Sequence, residues 1–315
     1  MDGCALQTVS AAGLSAGGRY SLRYRLDTDG LLDSVRRHGV LLPVVVSQGG
    51  LLVAGHRRVQ CAQALGLETI PALVTQEKES RRLFLISVLS NWNQNWSGLD
   101  AAWCLKKARE CGFSEEELVA TLLPAFGTGL ASAGLEEFQT ITALDAGLLE
   151  GIADGHIPFH GARALTKFKP ADQRSFAELA RQMALTTQEL IKLCGQLAAL
   201  LHASGKSLEI FLKENKLGAI SLNPSWDQRM RAEKFCKAVQ ALAHPRQKAT
   251  EEKTAAKLKG AGELAALCKI EFPPGFEDQG YTLKARLKSP AQLERFLALA
   301  GSKREWLNSL FDFML

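Results

Sequence analysis

The stretch Leu51-Leu52-Val53-Ala54-Gly55-His56-Arg57-Arg58-Val59-Gln60-Cys61-Ala62 limits the folds open to this chain more than any other. Leu51 to Ala54 is an apolar run short enough for a strand. It stops at Gly55, and Val59, Ala62 and Leu65 then recur at helical spacing. A strand, a glycine turn and a helix start in direct succession call for a unit that mixes strands and helices. The same succession makes an anion site. Free backbone N–H groups and the helix dipole point where the guanidinium groups of Arg57 and Arg58 also point. Arginine adds planar, bidentate contacts to phosphate oxygens. A phosphate-bearing ligand follows, either a nucleotide or a nucleic acid. Paired arginines at a helix start also occur on plain solvated surfaces, so the flanks have to decide.

Upstream, Leu31-Leu32-Asp33-Ser34-Val35-Arg36-Arg37-His38 reads as a helix closed by Gly39, followed by a strand entered through Pro43. Downstream, Gly66-Leu67-Glu68-Thr69-Ile70-Pro71-Ala72-Leu73-Val74 is a turn into another strand. This order resembles the amino-terminal domain of the ParB family, which shares its fold with sulfiredoxin. The family's Gly-Glu-Arg-Arg-x-Arg-Ala box corresponds to Gly55-His56-Arg57-Arg58-Val59-Gln60-Cys61. The resemblance implies a pocket for the triphosphate of CTP, with Mg²⁺ as its metal. Gly55, His56, Arg57 and Arg58 would bind the nucleotide, with Asn91 nearby.

No apolar run approaches the roughly 20 residues that span a bilayer, so no membrane partner is expected. The seven cysteines, Cys4, Cys61, Cys104, Cys111, Cys194, Cys236 and Cys268, form no Cys-x-x-Cys pair. Reduced thiols in a cytoplasm are the expectation, and the resemblance implies a protein associated with a nucleoid or plasmid. No metal site is expected from residue spacing: Pro158 and Gly161 break the segment that carries His156 and His160. The net charge of +5 is uneven, at +3 over residues 1–90, −4 over 91–200 and +6 over 201–315. If DNA is held electrostatically, the two ends are better placed than the middle.

The expected fold class is α+β. Residues 1–18, rich in Gly, Ala and Ser, read as a flexible lead-in, and 19–95 as the mixed nucleotide-binding domain. Residues 96–205 are helical, with capping boxes opening at Ser114 and Thr186. Residues 206–315 read as helices over 223–243 and 246–267, two strands, and a final helix starting at Ser289-Pro290. The apolar positions Leu293, Phe296, Leu297 and Ala300 of that helix fit one buried face. The central helices resemble ParB's helix-turn-helix domain. Asp154-Gly155-His156-Ile157-Pro158-Phe159-His160-Gly161-Ala162-Arg163-Ala164-Leu165 matches a family run that reads more naturally as packing than as contact. The strand-strand-helix end is similar to ParB's dimerisation module. The resemblance therefore implies DNA and a second copy of the chain as partners, and admits a partition ATPase.

Departures from the family pattern bear on mechanism. Gln60 replaces the third arginine of the box. In the Glu-Asn-x-Gln-Arg box, Ser90 stands for the glutamate, Asn91 is kept and Gln94 stands for the arginine. In the family that glutamate and asparagine help hold the metal, so hydrolysis is at most weak here and no catalytic residue is assigned. Between Leu123 and Ile141 the expected groove-entering segment carries Glu136 and Glu137 and no arginine or lysine. Gln139 and Thr140 remain as base-edge readers, with Arg163 as a further DNA contact. Two other functions stay open: a small-molecule kinase on the same fold, which also uses a Gly-His-x-Arg box, and an interaction adaptor without nucleotide. Sulfiredoxin chemistry needs a cysteine where Gly55 stands.

Overall fold

Side-chain alternation along four strands sets the amino-terminal architecture. The computed structural model describes residues 4–92, 95–126, 134–272 and 280–311, and it divides into two units, Met1–Phe235 and Cys236–Leu315. In the first unit, β1 (Cys4–Ser10), β2 (Val44–Ser47), β3 (Leu52–Ala54) and β4 (Thr69–Thr75) form a sheet in the order β1-β4-β2-β3. β4 runs antiparallel to β1 and parallel to β2, and β2 runs antiparallel to β3. Val44, Val46, Leu52, Ile70 and Ala72 face one way, into a cluster with Val59 and Ala62. Val45 and Val53 face the other way, against Leu83, Phe84 and Val88. The period of two thus sorts one short strand into two cores. Helices α1 (Leu31–His38), α2 (His56–Ala64) and α3 (Ser80–Leu89) complete this portion. Gly39 closes α1 in a positive-φ conformation, as expected.

Residues 1–18, expected to be flexible, contain β1. The small residues of the segment mask its strand propensity. The strand forms by backbone pairing along β4, while its side chains stay largely exposed. Beyond it, Ala11 and Leu14 are buried, and the Gln63 amide donates to both of their carbonyls at 2.9 and 2.7 Å. That lead-in is therefore tied down.

The second core cluster runs without a break into the helices. Val53 and Phe84 share it with Ala101, Leu105, Phe113, Leu118 and Phe138. Helix α4 (Gly98–Glu110) is capped by Ser97, whose hydroxyl accepts from the Asp100 N–H at 3.1 Å. Ser114 forms the predicted capping box, but α5 (Glu115–Glu117) passes at once into a π turn (Leu118–Leu122) and a 3₁₀ turn (Leu123–Phe126). Next come α6 (Leu135–Thr142), α7 (Ala146–Ala153), a 3₁₀ stretch (Phe159–Lys167), α8 (Pro170–Ala180) and α9 (Thr187–Ser204), the last opening on the Thr186 box. No helix among the described residues is long and apolar enough to cross a membrane.

The expected boundary at 205/206 falls inside the first unit. There α10 (Leu208–Glu214) and α11 (Gly218–Ser221) follow α9. The buried carboxylate of Asp172 accepts from the Leu208 N–H at 2.7 Å and so caps α10 from α8. Helix α12 (Gln228–Ala243) starts five residues later than the spacing suggests, because Asn223 closes a turn by accepting from the Ser225 N–H.

The second unit holds α13 (Pro245–Leu258), α14 (Leu264–Leu267), β5 (Cys268–Glu271), β6 (Thr282–Ala285), α15 (Pro290–Ser302) and α16 (Arg304–Asn308). β5 and β6 pair antiparallel, as the sequence predicts, and the turn residues Pro273 to Gly275 lie outside the described ones. The buried face expected for α15 is not buried within the chain. Leu293 and Leu297 are 46% and 59% exposed, and no residue of the helix is buried. The periodicity is right, but among the described residues Phe296 and Ala300 are only half-buried and the Leu293–Leu297 side stays exposed.

Gly98 is a packing position that carries a prediction. A Cβ there would lie 2.4 Å from the Phe159 ring, so α4 and the 3₁₀ stretch meet only because the side chain is missing. Gly98→Ala should cost on the order of 1–3 kcal/mol through overpacking, read as a lower urea midpoint with an unchanged slope.

Candidate nucleotide pocket and helical surface

The pocket begins with Gly55. It sits at φ 97°, in the left-handed region, as the N-cap of α2. A Cβ there would stand 2.7 Å from Val44 Cγ1. Glycine is required twice over, by the turn and by the strand packed against it. No side chain caps the first turn of α2, so its backbone donors are left for a ligand.

A cavity of about 360 Å³ opens at this turn. Gly55, His56, Arg57, Arg58 and Asn91, the residues singled out from sequence, all line it together with Ser90. Their roles differ. His56 is 6% exposed, its Nε2 has no partner among the described residues, and burial pushes its pKa down to about 4. It is therefore neutral near pH 7. Arg57 also has a buried Nε without a partner. Arg58 donates through Nη1 to the carbonyls of Leu42 and Pro43 at 2.5 and 2.7 Å. It braces the entry to β2 from inside the pocket, and burial lowers its pKa. The Asn91 amide donates to the Ser87 carbonyl at 2.8 Å, and the Ser90 hydroxyl to that of Ile86 at 2.7 Å. Asn93 and Gln94 lie outside the described residues.

Sequence reasoning missed Arg23, which also lines the cavity. Its Nη1 pairs with Asp100 at 2.7 Å and its guanidinium lies 5.2 Å from the Trp96 ring centroid. Next to it, Tyr24 donates to Glu150 at 2.9 Å, and Arg25 pairs with Glu150 and Asp154. Burial and the Glu150 hydrogen bond push the Tyr24 pKa up to about 12. The signal was the alternation Arg23-Tyr24-Arg25, basic and aromatic residues with no helical or strand period.

Mg²⁺ prefers oxygen donors and enters phosphate sites on one or two carboxylates. None of the residues lining the α2 cavity is Asp or Glu. Asp27, Asp29 and Asp100 line an adjoining cavity of about 850 Å³ that shares Arg23 and Arg57. Of these, Asp100 already serves Arg23 and the Tyr24 N–H, and Asp27 accepts from the Asp29 N–H. Among the described residues no three His, Cys, Asp or Glu side chains gather where a metal could be held. The donor set does not fit Mg²⁺.

The residues assigned to DNA form a second, separate group. Gln139 and Thr140 lie on α6, and Arg163 on the 3₁₀ stretch beside it. Each has a partner within the chain. The Gln139 amide donates to Glu115 at 2.9 Å, Thr140 to the Glu136 carbonyl at 2.6 Å, and Arg163 pairs with Glu136 at 2.6 Å. Residues 127–133, part of the expected groove-entering segment, lie outside the described ones. The packing role expected for 154–165 rests on Gly161, where a Cβ would meet Leu190 at 2.9 Å.

An α+β unit with an arginine-bearing helix start behind a glycine turn is the class of domain that this geometry defines. Residues 16–91 match the ParB N-terminal domain family. The chain is 26% identical over 197 residues to a probable chromosome-partitioning protein ParB of Neisseria meningitidis, covering 60% of this chain and 66% of that protein. It is 30% identical over 146 residues to the chromosome-partitioning protein Spo0J of Thermus thermophilus, covering 45% and 52%. A C-terminally truncated Caulobacter crescentus ParB complexed with CTP-gamma-S aligns at a TM-score of 0.25 and 21% identity, over 56% of this chain and 99% of that one. The same protein complexed to the centromeric parS site gives 0.34 and 20%, over 60% and 99%. The matched region spans less than two thirds of these curated relatives' length. Residues 16–91 are thus similar to the ParB N-terminal domain, and the chain is similar to ParB and Spo0J chromosome-partitioning proteins.

The depressed His56 pKa makes stability depend on pH. Unfolded, the imidazole takes a proton near pH 6.5. Folded His56 resists it until about pH 4. Its contribution is complete above the unfolded value and lost as pH falls from there toward the folded one. The drop in unfolding free energy between about pH 7 and about pH 4.5 should shrink by on the order of 2 kcal/mol in His56→Gln, measured by urea titration at both pH values.

Proposed function

We propose that this chain is a ParB-like partition protein that binds a nucleoside triphosphate, CTP by family resemblance, at the start of α2 and acts on DNA as a homodimer. One observation carries the nucleotide half. The left-handed turn at Gly55 aims uncapped backbone donors and Arg57 into a cavity that also takes in His56, Arg58 and Asn91. Phosphate is the ligand such a corner favours. Arg57→Ala should weaken CTP binding by at least about tenfold, since a charge-assisted contact contributes roughly 1.5–3 kcal/mol. Calorimetry with CTP, ATP, GTP and UTP tests both the site and the choice of base. Unchanged affinity for all four would remove the assignment.

Dimerisation is proposed through the second unit. Among the described residues Leu293 and Leu297 on the apolar face of α15 stay exposed, and so does β6 along its length. An apolar stripe of that kind is a typical oligomer contact. Leu293→Glu with Leu297→Glu should shift the protein to monomer in sedimentation while leaving its helical content intact. A variant that stays dimeric would move the interface elsewhere.

DNA contact is proposed through phosphates, with α6 and Arg163 as its local reader. The surplus of basic residues over 201–315 supports a backbone-dominated mode. An adaptor that has lost DNA contact is the second reading, favoured by the pairing of Gln139 and Arg163 with Glu115 and Glu136. A band shift at two salt concentrations separates the two. Partition binding predicts a steep salt dependence, a slope smaller by about one in Arg163→Ala, and tighter binding in Glu136→Gln. An adaptor shows no shift at either salt.

A further inference from the structure

Resting on the nucleotide reading above, we infer that the α2 pocket takes its polyphosphate without a divalent cation, arginine charge and neutral hydrogen-bonding groups doing what a metal would otherwise do.

A bound triphosphate brings several negative charges into a small volume, and something of positive charge has to meet them. Two solutions exist. A metal can bridge the phosphate oxygens and anchor on protein carboxylates. Alternatively, guanidinium groups and backbone N–H donors can take the oxygens directly. The composition of this pocket selects the second. Arg23, Arg57 and Arg58 line it, and among the described residues no carboxylate does. The remaining polar side chains, His56, Ser90 and Asn91, are uncharged at neutral pH or, for His56, kept neutral by burial.

Two orphaned atoms point the same way. His56 Nε2 and Arg57 Nε are buried without partners on adjacent residues of the first turn of α2. Arg57 Nε is a donor, and neutral His56 can present Nε2 as a donor. Both suit phosphate oxygens, which only accept. Arg57 Nε has no lone pair to give a metal, and in the Nε2–H tautomer that donates to phosphate His56 Nε2 has none either. Two of the three carboxylates of the adjoining cavity already have partners: Asp100 has Arg23 and the Tyr24 N–H, and Asp27 the Asp29 N–H. Recruiting Asp100 to a metal would strip Arg23 of its half-buried partner.

The experiment is calorimetric titration of the full chain with CTP in excess EDTA and, separately, in excess Mg²⁺. Affinities within about threefold of each other are expected. Ser90→Glu supplies the missing carboxylate, and it should weaken binding in EDTA by about tenfold or more and recover affinity when Mg²⁺ is added. Binding by the unaltered chain that needs Mg²⁺ would overturn the inference while leaving the pocket assignment intact. Absence of binding for every nucleotide in both buffers would remove the pocket assignment itself, and this inference with it. A Ser90→Glu protein that fails to fold does not blunt the test, since the comparison of EDTA with Mg²⁺ on the unaltered chain already decides it.

Discussion

The close packing of Val44 against Gly55 constrains the turn from β3 into α2. It joins the first residue of β2 to the turn that ends β3, at a spacing that leaves no room for a side chain. Because the turn is left-handed, α2 leaves the sheet at once and its donors face the cavity. Because Val44 is fully buried, the strand cannot slide to relieve a larger residue. Arg58 completes the lock from the other side by holding the carbonyls of Leu42 and Pro43. The pocket is a by-product of this packing. Gly55 belongs both to that packing and to the cavity lining, beside the polar side chains of the first turn of α2.

Legibility in the sequence followed the strength of local signals. Gly39, Gly55, Pro43 and the Ser114 and Thr186 boxes are short-range devices, and each marks its element where the structure has it. β1 was hidden because an edge strand is made by its neighbour: Cys4–Ser10 has no buried side of its own to advertise. The α15 stripe was legible as a period, yet burial is a property of what lies opposite, which one helix does not encode. The five candidate pocket residues come together because four are consecutive and Asn91 follows the helix that packs beneath β3. Arg23 escaped because its role depends on Asp100 and Trp96, more than seventy positions away.

Substitutions in the pocket make chemical sense taken together. Family resemblance sets a glutamate where Ser90 stands and another where His56 stands. Losing both removes negative charge next to Arg57 and Arg58, which is unfavourable for a metal and favourable for a bare anion. Had only one carboxylate gone, the other would still repel a phosphate that arrived without its cation. His56, neutral at about pH 7, keeps a hydrogen-bonding nitrogen in the site without the cost of a buried charge.

Magnitudes decide how the two polar regions should be weighed. Arg23 and Asp100 have side chains only 21% and 13% exposed, with Trp96 against the guanidinium, so removing either one takes the opposite charge from a largely buried partner. That pair fixes the sheet portion to α4. Arg163 and Glu136 are 53% and 73% exposed, and exposed pairs of this kind contribute roughly 0–1 kcal/mol. A single phosphate contact by arginine is worth more than that. The Glu136 carboxylate is therefore a partner that DNA can displace, whereas Asp100 is not one that a ligand can pull away. The occupied state of Arg163 is consequently weak grounds for an adaptor, and the occupied state of Asp100 is strong grounds against its service to a metal.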